Sequence, residues 1–260
     1  MLDRIRSLFG LRHKQRAIQP AQWARVEARL PFLAFLPAAE RERLRSLALD
    51  FLATKEFHGA HGLQLDDDTL LAIALQACLP ILNTGLQAYA NWVGVVIYPG
   101  DILIPRSEFD DAGVLHEYDD EVLGEAWEGG PVLIAWFEHG EQPAGINVVI
   151  HEFAHKLDME NGGVDGLPQL RPGMSRAVWA DAFSKAYEDF CADVDLGRPC
   201  AVDPYGADSP GEFFAVVSEA FFETPCVLQT RFPAVYEQLR QLYQLDPAAG
   251  ERAAGQSQHD

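Results

Sequence analysis

Cysteine is scarce in this chain. The four are Cys78, Cys191, Cys200 and Cys226, none of them in a C-x-x-C pair. So few, so scattered over 260 residues, do not make a disulfide framework, and a reducing compartment, the cytoplasm, is the expected setting. Positive charge is also short, with 20 Lys and Arg against 39 Asp and Glu and a formal net charge of -19. That argues against nucleic acid as a partner, because binding phosphates takes a basic face. No run of 18 apolar residues occurs, so no helical membrane span is expected. The opening MLDRIRSLFGLRHKQR lacks an unbroken apolar stretch and a small-residue cleavage site, so no secretory signal is expected there. It carries five basic residues against Asp3, and residues 1–16 read as a basic arm. No internal repeat is visible.

What is present is enough apolar material for a core, 48% of the residues. Residues 17–90 read as a helical region. AQWARVEARL, PAAERERLRSLALDFLATKEF and DDDTLLAIALQACLPIL space their apolar residues three and four apart. The last is apolar nearly all round, as in a buried helix, with Asp67 or Asp68 as its expected cap and Pro80 near its end. The pattern then changes to β-branched runs in WVGVVIYPGDILIP, GVLHEYDDEVLGEAWE and PVLIAWF. From Gly145 it is helical again, until Asn161-Gly162-Gly163 stops it. SRAVWADAFSKAYEDFCADVD, GEFFAVVSEAFFET and FPAVYEQLRQLYQL read as further helices, the first capped by Ser175. Residues 247–260 are small and polar and read as a disordered tail. Helices, then strands, then helices make an α+β chain with a core over residues 91–246.

The chemistry is concentrated in NVVIHEFAHKLDMENGG, residues 147–163. His151 and His155 are four apart and share one helix face, where both imidazoles can meet one ion. Glu152 projects beside them, placed to act as general base toward an activated water. Zinc suits two nitrogens and an oxygen with the fourth place open. The third ligand must come from elsewhere. A metzincin would supply a histidine at position 161, which is Asn161 here. A glutamate from a later helix is the alternative, and GEFFAVVSEAFFET offers Glu212, Glu219 and Glu223. Asp158 reads as pairing with Lys156 or capping a loop. Residues 132–136 come shortly before the motif and read as an edge strand able to pair with substrate backbone.

HEFAHKLDMENG, DPYGADSPGEFFAVVSEAFFETP and RFPAVYEQLRQLY together resemble the Mlc titration factor A family of bacterial zinc peptidases, and the likeness extends over most of residues 20–246. The resemblance implies a zincin-like core of the gluzincin type, with a small mixed sheet and a catalytic core similar to that of anthrax lethal factor. It implies one Zn2+ per chain, with Glu212 as third ligand and Tyr205 as the active-site tyrosine. It also implies aminopeptidase-like action on peptide substrates, and a glucose repressor, Mlc, as partner. Glu212 opens its helix after Ser209-Pro210-Gly211, where a turn can aim it at the ion, which leaves Glu219 to orient a ligand histidine. A regulatory binding protein whose zinc site is secondary is the competing reading, but a purely structural site has no need of a base at Glu152.

Overall fold

The computed structural model describes residues 18–109, 115–137 and 145–256. The basic arm therefore lies outside the described residues. Helices α1 (Pro20–Glu27), α2 (Ala38–Thr54) and α3 (Asp67–Cys78) come first. Every residue of α3 from Leu70 to Cys78 is buried, as its all-round apolar pattern requires. Its cap is Asp66, whose side chain accepts from the Thr69 amide at 2.7 Å, rather than Asp67 or Asp68. Asp68 instead pairs with Arg25 of α1. The end of the KEF stretch departs from the helical reading. Glu56–Gly59 is strand β1, and the Glu56 amide donates to Val93 O.

Strands β2 (Gly94–Tyr98), β3 (Ile102–Phe109), β4 (Leu115–Val122), β5 (Gly124–Ala126) and β6 (Val132–Ala135) follow. They form two sheets. One is the antiparallel pair β3–β4, and the other is a mixed sheet in the order β1-β2-β6-β5. Within it β1, β2 and β6 run parallel and β5 returns antiparallel to β6, Gly124 opposite Ile134. The edge-strand expectation for residues 132–136 is thereby corrected. β6 is bonded on both sides and wholly buried, as a continuous Val-Leu-Ile-Ala run favours. The edge nearest the motif is β5.

Helices α4 (Val148–Asp158), α5 (Arg176–Asp195), α6 (Pro210–Glu223), α7 (Pro225–Arg231), α8 (Pro233–Tyr243) and α9 (Pro247–Gln256) complete the chain. The last corrects the expected disordered tail. Asp246 caps α9 by accepting from the Ala249 amide, Ala248 is fully buried, and Gly250 packs against Phe35. Small residues here permit close docking rather than disorder; residues 257–260 lie outside the described part. The fold is α+β, as expected of a zincin-like core.

One continuous apolar core runs from Trp23 to Ala248. Helix α4 crosses its middle, between α3 and α6, with β5 and β6 alongside. The back of α4 is pinned by Phe153, whose ring sits 5.2–5.6 Å from those of Phe51, Tyr89 and Trp92. Burying a side chain of this size is worth about 1.5–3 kcal/mol. The anchor fixes the rotation of the helix, and so the direction of its opposite face.

Candidate metal centre

That opposite face carries His151, Glu152 and His155, all buried. The helix starts abruptly because the Asn147 side chain accepts from the Ile150 amide at 3.0 Å, an N-cap that the sequence reading did not single out. Helix α6 starts as abruptly, with Pro210 in its first turn and Ser209 Oγ accepting from the Glu212 amide at 3.1 Å. This start aims the Glu212 carboxylate at the histidines. Glu212 Oε2 lies 3.0 Å from His151 Nε2 and 3.3 Å from His155 Nε2, and the two Nε2 atoms are 3.1 Å apart.

These three residues offer ligand atoms that all lie within 4.8 Å of one another and could hold a metal ion. The donor set of two imidazole nitrogens and one carboxylate oxygen suits zinc with a place left open. The electrostatics fit a cation too. Burial by itself would lower the His151 pKa, but Glu219, Glu212 and Glu152 around it raise it well above the usual value. Burial pushes the Glu152 carboxyl up to about 8; His151 opposes this, while Glu212, Glu219 and Glu125 add to it. Glu212 is held down at about 2, because its bonds to both histidines outweigh the cost of burial. A buried cluster so rich in carboxylates favours a positive charge at its centre, and a cation there would draw Glu152 back toward ionisation.

Behind His151 lies a polar chain that reaches the N-terminal helices. Glu219 Oε1 is 2.7 Å from His151 Nδ1, which turns Nε2 toward Glu212. The other Glu219 oxygen accepts from the Asn147 amide. The Asn147 side-chain amide then donates to Gln76 of α3 at 2.8 Å and to Glu223 at 2.7 Å. Glu223 therefore faces Asn147 rather than the three ligand candidates, and burial raises its pKa, as it does that of Glu219. Asp158 accepts from the Gly166 amide at 2.8 Å and so ties down the following loop. Lys156 does not pair with it; its ammonium group donates to Trp127 O and Gly130 O.

In front of the histidines is a cavity of about 510 Å³ whose lining includes Glu125, Asp203, Tyr205 and Asp208. Tyr205 sits in the short turn Pro204–Ala207, where Asp203 accepts from its amide at 2.9 Å. Its ring is 6.0 Å from that of His151, and the side chain is 52% exposed at the cavity mouth. Glu152 lies deeper, 3% exposed, with Oε2 bonded to no protein group among the described residues. All five residues singled out in the sequence, His151, Glu152, His155, Tyr205 and Glu212, thus border one cavity. The four aromatic residues Phe213, Phe214, Phe221 and Phe222 are core. Asn147, Gln76 and Gly124 were not anticipated. Asn147 carried a signal, a capping residue type directly before the apolar run, whereas the other two acquire partners only through tertiary contact.

Comparison with known proteins agrees with this geometry. The family described as glucose-regulated metallo-peptidase M90 matches residues 4–244. Mlc titration factor A of Salmonella arizonae is 35% identical over 240 residues, covering 90% of this chain and 95% of that protein. Mlc titration factor A of Yersinia pestis is 35% identical over 242 residues, 91% of this chain and 89% of that one. An uncharacterized protein of Synechocystis sp. is also 35% identical, over 238 residues, 90% of this chain and 86% of that one.

Proposed function

The chain belongs to the glucose-regulated metallopeptidase family M90, and from that premise we propose that it is a zinc peptidase of the gluzincin type, aminopeptidase-like toward peptides. The observation that carries the reading is the convergence of His151, His155 and Glu212 with a buried Glu152 beside them. In this reading His151, His155 and Glu212 would hold one Zn2+. When bound, zinc supplies Lewis acidity, polarising a carbonyl oxygen and making a water nucleophilic near neutral pH. Glu152 takes the proton of the attacking water as general base and hands it to the departing nitrogen. The Tyr205 hydroxyl donates a hydrogen bond to the oxygen on which negative charge develops. Glu219 keeps His151 turned toward Glu212.

Two further features support the substrate assignment. Glu125, Asp203 and Asp208 give the cavity an acidic lining that would attract a free peptide amino group. β5 borders the same cavity and, among the described residues, has a neighbouring strand on one side only. A peptide lying along its open side would present its scissile carbonyl near Glu152. An Mlc-type repressor as partner rests on the name of the relatives alone.

The test combines metal analysis with a panel of peptide nitroanilides, free and blocked at the amino end, with and without chelator. One zinc per chain, chelator-sensitive hydrolysis and preference for free amino ends are expected. Glu152→Gln should keep its zinc and lose on the order of 10²–10⁴-fold in turnover. Near-normal turnover in that variant would remove Glu152 from the mechanism.

A further inference from the structure

The glycine at position 124 has no conformational reason to be one. It lies within β5, opposite Ile134, and is not among the glycines with positive φ. The reason is spatial. A Cβ built on Gly124 would fall 2.6 Å from both Cγ and Cδ of Glu152, whereas ordinary contact begins at 3.4 Å. The side chain of Glu152 therefore occupies the space that any residue other than glycine would need.

We propose that Gly124 is the positioning residue for the general base, its bare backbone forming the wall against which the Glu152 carboxylate is held. This rests on the reading of Glu152 as base. The arrangement brings the backbone of the edge strand and the carboxylate within one contact distance. A peptide paired with β5 and the water that attacks it are thereby given a common reference. Glu152 is buried and its Oε2 has no hydrogen-bond partner among the described residues, so packing contributes to where the carboxylate sits. The three atoms nearest that Cβ, Oε1, Cδ and Cγ, all belong to the Glu152 side chain and not to backbone. With the strand held in place, a methyl group at position 124 displaces the Glu152 side chain by about 1 Å. A 1 Å misplacement of a catalytic group can cost about 10²-fold.

The test is Gly124→Ala in the full-length zinc-loaded protein, with kcat and KM measured beside zinc content and thermal unfolding. The expected variant holds one zinc, keeps KM within about threefold, and loses on the order of 10²-fold in kcat. Unchanged kcat overturns the proposal. So does a rise in KM at constant kcat, which would make Gly124 part of the substrate path only. If Gly124→Ala fails to fold, the same change is made in Glu152→Ala, where the obstructing side chain is gone. Recovery of the unfolding temperature of Glu152→Ala alone supports the contact, and equal loss in both backgrounds overturns it. Glu152→Gln alone separates the two readings. An active Glu152→Gln removes the base and this inference with it. An inactive Glu152→Gln beside a fully active Gly124→Ala removes only the inference.

Discussion

At the scale of single residues, the three glutamates of α6 show how position on a helix divides labour. Glu212 is in the first turn and faces both histidines; Glu219, two turns on, meets His151 from behind; Glu223 meets Asn147. With each turn advancing ~5.4 Å, they cannot share one ion. Substituting each by Gln should therefore give three outcomes in zinc retention after dialysis against a weak chelator. Glu212→Gln should lose metal as fully as His155→Ala. On the proposed reading Glu219→Gln should bind about 10–100-fold more weakly, because Glu219 meets the far nitrogen of His151 and not the site where the ion would sit. Glu223→Gln should stay close to the parent. Retention by Glu212→Gln together with loss by Glu219→Gln would reverse the assignment.

At the scale of elements, β5 and the loop after α4 each make a separate claim. The Ala135 amide donates to Leu123 O and the Trp127 amide to Pro131 O, so the odd-numbered positions of β5 face β6. By alternation, the amides of Gly124 and Ala126 point away from β6. Ala126→Pro removes one outward donor while leaving the β6 ladder whole. It should raise KM for peptides with little change in unfolding temperature; a matched loss of stability would mean that the outer side of β5 is used by the fold. The loop after α4 hangs on Asp158, whose carboxyl is pushed from 3.8 up to about 6 by burial, against the opposing hydrogen bond from Gly166. The native pKa is the higher one, so the unfolded chain gives up this proton first. The contribution of Asp158 is thus fully present below about 4 and is lost as pH rises through about 6. Asp158→Asn keeps an acceptor for Gly166 and removes the charge. Its stability relative to the parent should improve between pH 4 and pH 6 and level off above. Parallel urea midpoints across that range would show that Asp158 does not titrate as described.

At the scale of the whole molecule, the N-terminal helices and the metal centre belong to one core. Phe51, Tyr89 and Trp92 hold Phe153, and Gln76 holds Asn147. Metal binding should therefore stabilise the molecule as a unit. A ligand at 100 times its Kd adds about 2.7 kcal/mol to a folded state that alone binds it. At roughly 2–4 °C per kcal/mol for a chain of this size, zinc should raise Tm by about 5–10 °C. Glu212→Gln should lose that response. A metal-induced rise of the same size in Glu212→Gln would place the stabilising ion elsewhere.

The sequence by itself determined the local chemistry. The spacing of His151 and His155 puts two imidazoles on one face because a helix repeats every 3.6 residues, and the apolar run before them predicts a helix start that is buried. Most helices, the strand segments and the stop at Gly162 were legible for the same reason, as periodicity and turn chemistry are properties of short segments. Pairing is not such a property. Val132–Ala135 is equally apolar as an edge or as a centre, and only the arrival of β5 and β2 on its two sides decided that it is interior. α9 looked like a tail because its few apolar atoms suffice only against Phe35 and the neighbouring core. The bond from Glu223 to Asn147, the bond from Gln76 to Asn147 and the need for glycine at position 124 all depend on which distant segments come within a few ångströms. Such distances are set by packing the whole chain, so they became visible only once the chain was folded.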